Sequence, residues 1–142
     1  MKSYSELFHG RLWSLMQWEQ WDALRAGLAG SGQPWFVYAV GHGLPDAPLQ
    51  GVALTATLDA IDDLLRHEHR ERYLGIVYVD DLADPSLVKV YDPNHLGSVC
   101  GGRGDPAPPG WIVSRTLPDE IVSNTPLPQS RKRWWDALLG RA

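Results

Sequence analysis

The sequence has a single cysteine, Cys100, among its 142 residues. A lone cysteine excludes an internal disulfide framework, which favours a reducing compartment, and we therefore expect a cytoplasmic protein. No stretch approaches the roughly 20 consecutive apolar residues that span a bilayer. Near the N-terminus, Glu6, His9 and Arg11 interrupt the apolar residues, unlike the continuous apolar segment of a signal peptide.

Positive charge is also scarce. The chain has 13 Lys and Arg residues against 17 Asp and Glu, which gives a formal net charge of -4. Contacts to nucleic-acid phosphates need clustered Lys and Arg, so this balance argues against nucleic acid as a partner. Hydrophobic residues make up 44% of the chain, which excludes a wholly disordered or collagen-like polymer and suits one compact domain.

The N-terminal third predicts helix. Ser3 and Glu6 have the spacing of a capping box, and apolar residues then recur at helical intervals from Phe8 to Leu28. We interpret this stripe as either one bent helix or two short helices that meet near Met16, ending at residues 30–32.

The clearest helix runs from about Leu49 to Arg72, with Asp46 as its predicted N-cap. Four segments rich in β-branched and aromatic residues predict strands, at 35–40, 75–80, 87–91 and 111–115. The connection 81–86 is too short for a parallel crossover, so we expect strands 75–80 and 87–91 to pair antiparallel, with the long helix covering one face.

The predicted fold is α+β: an N-terminal helix or helix pair, then strand-helix-strand-strand-strand with a mostly antiparallel four-stranded sheet, and a short C-terminal helix. We expect a single domain over residues 1–118. A proline-bearing extended linker follows over 119–129, and a basic, Trp-rich helix or tail over 130–142.

The loop between the last two predicted strands contains the candidate catalytic residues Asp92, His95 and Cys100. A neighbouring cation favours a thiolate, so Cys100 with His95 or Asp92 would suit a thiol-dependent enzyme or a redox-sensitive protein. Gly101 and Gly102 would instead suit the backbone anion site of a small-ligand-binding domain. The favoured interpretation is a structural loop, because Asp-Pro-Asn is a common turn sequence and an isolated cysteine is commonly buried.

A metal site and a cofactor are not predicted. Asp63, His67 and Glu71 share a face of the predicted helix at i, i+4, i+8 spacing, which would suit a metal ion. The favoured interpretation is a solvated helix end, because its cations lie near the negative end of the helix dipole.

The C-terminal segment differs in charge from the rest of the chain. Residues 129–142 have four basic residues and one acidic residue, a net charge of +3, which leaves -7 for the remainder. As a helix, this segment would align two i,i+4 apolar pairs behind a basic first turn. The candidate partner-binding residues are Arg131, Lys132, Arg133, Trp134, Trp135, Leu138 and Leu139.

An isolated helix of about ten residues is marginal in water, so this segment needs a surface to pack on. That surface is its own domain, a protein partner with acidic groups, or an anionic membrane surface. The leading functional hypothesis is a small, bacterial-type cytoplasmic adaptor or accessory protein that binds another protein through this tail and a Trp-bearing surface.

Overall fold

The computed structural model describes residues 2–95 and 108–121. This part of the chain contains three α-helices, five β-strands and one 3-10 helix. In chain order they are α1 (Tyr4–Phe8), β1 (Trp13–Leu15), α2 (Trp18–Gly30), β2 (Phe36–Ala39), α3 (Gly51–Glu68), β3 (Val77–Val79), β4 (Leu87–Val90), the 3-10 helix (Pro93–His95) and β5 (Trp111–Ser114). The predicted C-terminal helix lies outside the described residues.

The five strands form one antiparallel sheet in the order β1-β3-β4-β5-β2. The α+β class is confirmed. The predicted hairpin is confirmed as well, because Val77 pairs with Val90 and Val79 pairs with Val88 in antiparallel register. The sheet has five strands rather than the predicted four, since β1 adds to the edge beside β3.

The predicted helix through residues 12–15 is wrong. The capping box of Ser3 and Glu6 is present, but α1 ends at Phe8. The chain then turns so tightly that a Cβ atom on Gly10 would lie 2.6 Å from the backbone oxygen of Glu6. Leu15 still reaches the core, but from a strand paired with Val77. Leu15 is therefore buried as the apolar pattern requires, although its backbone is in a strand and not in a helix.

The helices cover both faces of the sheet. On one face, α2 and α3 pack over the main core, in which Ile61 of α3 lies with Val79, Val88 and Val113. On the opposite face, α1 packs through Tyr4 and Leu7 against a smaller cluster that includes Leu87 and Ile112 of the sheet. The prediction that the long helix covers one face of the hairpin is confirmed.

The long helix begins at Gly51 rather than at about Leu49, and its N-cap is Gln50 rather than the predicted Asp46. The reason is a β-bridge between Trp35 and Leu49. The Leu49 N–H donates to Trp35 O at 2.7 Å, and the Trp35 N–H donates to Leu49 O at 2.9 Å. This pairing holds Leu49 extended, so a helix cannot start before it.

Candidate functional site

The loop that carries the candidate catalytic residues is described only at its start. Asp92 follows β4, is fully buried, and its Oδ1 accepts a hydrogen bond from Asn94 N at 2.9 Å. This is an Asx turn, so Asp92 has the turn-forming role that Asp-Pro-Asn predicts. The backbone of His95 ends the 3-10 helix. The side chain of His95 and all of Cys100 lie outside the described residues, so the thiol-enzyme alternative stays a prediction.

The end of α3 differs from the geometry of the metal alternative. The helix ends at Glu68, so Glu71 is beyond it and the i, i+4, i+8 spacing with Asp63 and His67 does not hold. The neighbouring His69 is buried, and its Nε2 lies 2.8 Å from Leu74 O and 3.2 Å from Tyr73 O. Within residues 2–95 and 108–121, no group of three His, Cys, Asp or Glu side chains has a metal-binding arrangement.

Charged side chains join α2 to α3. Asp22 Oδ1 accepts from Arg25 Nη2 at 2.8 Å and from Arg66 Nη2 at 2.6 Å. Asp62 Oδ1 accepts from Arg66 Nε and from Trp21 Nε1, each at 2.9 Å. The hydrogen bond from Arg25, with further contributions from Arg66, lowers the pKa of the Asp22 carboxyl below its ordinary value. These contacts fix the packing of two helices, so we assign them a structural role.

A lysine is buried beneath α1. Lys89 of β4 donates from Nζ to Phe8 O at 2.7 Å, and Nζ lies 3.7 Å from the centre of the Phe8 ring. Burial lowers the pKa of this ammonium group. The lysine supplies a hydrogen bond to the last carbonyl of α1, where the negative end of the helix dipole favours a cation.

The edge strand β1 and the residue that follows it, Met16, expose large apolar side chains. Trp13 is 47% exposed and Met16 is 49% exposed, and the Arg11 guanidinium lies 4.8 Å above the Trp13 ring. By contrast, three other tryptophans are fully buried: Trp21, Trp35 and Trp111. We call Arg11, Trp13 and Met16 the β1 edge surface. Sequence analysis missed this surface because residues 12–15 were interpreted as helix, although their sequence also suits a strand.

Two clefts adjoin each other at one end of the sheet. The first, which we call the polar cleft, has a volume of about 440 Å³ and lies between α1 and the β3–β4 loop; Glu6, Asp80 and Asp81 are among its lining residues. The second, which we call the apolar groove, has a volume of about 470 Å³ and lies between α2 and the same loop; Leu24, Gly27 and Leu82 are among its lining residues. Asp84 and Arg115 line both.

The predicted partner-binding residues, Arg131, Lys132, Arg133, Trp134, Trp135, Leu138 and Leu139, lie outside the described residues. In the described ranges, no helix is long and apolar enough to cross a membrane. In comparisons with known proteins, no family model, curated protein or solved structure matches the chain.

Proposed function

We propose that this protein is a small cytoplasmic adaptor or accessory protein that binds another protein. The observation that carries the proposal is the exposure of Trp13 on the edge strand β1, with Arg11 stacked on its ring. Trp, Arg and Met are enriched in protein interfaces, and Trp and Arg dominate their binding energy. The cytoplasmic assignment rests on the single cysteine of the chain.

The edge position of β1 indicates how a partner can bind. An edge strand presents backbone N–H and C=O groups along its outer side, and an extended peptide can pair with them. Side chains beside the strand then provide specificity, which here means the Trp13 ring and the positive charge of Arg11. The partner that fits this surface is an extended segment that carries an apolar residue and a carboxylate.

The C-terminal tail is the second proposed contact. Its three consecutive basic residues, Arg131, Lys132 and Arg133, would pair with acidic groups of the partner, and Trp134 and Trp135 would fill a groove. Pairing between exposed charges weakens as salt is added. Binding through the tail should therefore weaken at high ionic strength, whereas the apolar part of the β1 contact should persist.

The test is quantitative binding to a partner first captured with the full chain and then purified. Trp13→Thr removes the ring but keeps a residue that favours strands. We expect this variant to weaken binding by roughly 10- to 100-fold, the effect of losing an interface anchor. Val52→Thr, at an exposed position of α3, is the control. Equal affinities of the three proteins would exclude the β1 edge surface as the binding site.

A further inference from the structure

We propose that, in the absence of a partner, the C-terminal tail of this chain occupies the two adjoining clefts of its own domain. Trp134, Trp135, Leu138 and Leu139 would lie in the apolar groove, and the basic residues before them would lie in the polar cleft. This proposal concerns the resting state and does not depend on the β1 edge surface.

The apolar groove has the size and lining that such an occupant needs. Its volume of about 470 Å³ lies within the range of about 300–1,000 Å³ typical of binding pockets. Leu82, in the β3–β4 loop, is exposed on one side of it. On the α2 side, Gly27 leaves the groove open, because a Cβ atom added there would meet no atom within 4 Å. A large side chain can therefore enter between the helix and the loop.

Charge complementarity favours the tail as the occupant. The polar cleft has a net charge of -1, because four carboxylates in its lining outnumber three cations: Glu6, Asp80, Asp81 and Asp84 against Lys2, Arg11 and Arg115. Three of the four carboxylates come from the β3–β4 loop, and residues 80–86 contain no Lys or Arg. Asp80 and Asp81 each use Oδ1 to accept two hydrogen bonds from backbone N–H groups, three of them from the loop and one from Leu87 at the start of β4. These bonds hold both carboxylates in place at the polar cleft. The tail carries a net charge of +3.

The order of residues along the chain matches the order of the clefts. Thr116 lines the polar cleft, and the described chain ends at Ile121, whose N–H donates to Tyr38 Oη on the α1 side of the sheet. Ile121 is five residue steps from Thr116, a separation of at most about 18 Å, and the ten residue steps from Ile121 to Arg131 extend up to about 33 Å, so the chain is long enough to return to the polar cleft. The basic residues thus come first, next to the nearer cleft, and the tryptophans follow toward the groove.

Docking would cover the tail residues that we propose for partner binding. A partner that binds the tail would then compete with the acidic loop and the apolar groove. Until a partner is present, the domain would cover Trp134 and Trp135. Two neighbouring tryptophans left in solvent would promote aggregation of the free monomer.

The test is the rate at which trypsin cleaves the full-length protein at Arg131, Lys132 and Arg133 in the absence of a partner. Mass spectrometry of the intact protein measures this rate. Gly27→Leu fills the groove with a residue that helices favour. Gly30→Leu is the matched control. A Cβ atom added at Gly30 also meets no atom within 4 Å, but Gly30 does not line the groove. We expect Gly27→Leu to speed cleavage about tenfold, since proteolysis follows the population of the open state. Gly30→Leu should cleave at the wild-type rate.

A second pair of variants tests the proposed contact between the basic residues of the tail and the polar cleft. Asp81→Asn keeps the side-chain oxygen that accepts from the loop but removes the charge, and Asp63→Asn on the exposed side of α3 is the control. We expect faster cleavage for Asp81→Asn alone, with the difference lost at high salt.

Equal cleavage of wild type, Gly27→Leu and Gly30→Leu would overturn the proposal. Protection that depends on protein concentration would also overturn it, because the tail would then occupy a second copy. The assay contains no partner, so its failure would leave the proposed function standing.

Discussion

Arg115 Nη2 lies 3.2 Å from Asp84 Oδ1, and this ion pair forms a wall shared by the polar cleft and the apolar groove. Both side chains are exposed, so the pair itself adds little to stability. Its importance is positional, because it joins the end of β5 to the β3–β4 loop where the clefts meet.

Removal of residues 130–142 should lower the melting temperature by several degrees. Full burial of one large apolar side chain contributes roughly 1.5–3 kcal/mol, and a loss of 1 kcal/mol shifts a domain of this size by about 2–8 °C. Differential scanning calorimetry of the truncated and full chains measures the shift. The full-length double variant Trp134→Ser, Trp135→Ser should reproduce most of it. A truncated protein that is equally stable and captures the same partners would contradict both roles of the tail.

Ile61→Asp should destabilise the domain by roughly 3 kcal/mol or more, because it places an unpaired charge in the core. Ile61 is fully buried between α3 and the sheet. Urea unfolding followed by circular dichroism gives the free energy of unfolding. Thr55→Asp, on the exposed side of the same helix, controls for introducing an aspartate into α3. A similar small loss for both variants would show that Ile61 does not face the core.

The stabilising effect of Asp22 should disappear in acid. Arg25 and Arg66 lower the pKa of this carboxyl in the folded protein, so the unfolded chain takes up a proton first as the pH falls. The contribution is therefore complete above the unfolded pKa of about 3.9 and is lost as the pH falls through the lower folded pKa. Thermal unfolding of wild type and Asp22→Asn should differ near neutral pH and converge in acid. The effect is small, because Asp22 is half-exposed. A difference that grows in acid would contradict this assignment.

Replacement of Cys100 by Ser should leave folding and partner binding unchanged, because the loop sequence favours a structural role. The melting temperature and the partner affinity test this expectation. Rapid alkylation of Cys100 in the native protein, together with a loss of function at an unchanged melting temperature, would favour the thiol-dependent alternative.

The sequence by itself determined the elements whose patterns are strong and local. The capping box at Ser3, the apolar face of α3 and the short connection between β3 and β4 each predict their structure from residues close together in the chain, and the structure agrees. The α+β class follows from these elements in order.

Only the tertiary structure decided the features that depend on distant residues. Residues 13–15 became a strand because β3 offered a free edge, and Leu49 stayed extended because Trp35 paired with it. Both outcomes come from backbone hydrogen bonds between segments far apart in sequence, which apolar periodicity does not encode. The exposure of Trp13 and the meeting of the two clefts at Arg115 and Asp84 have the same origin, since each depends on how the sheet is assembled.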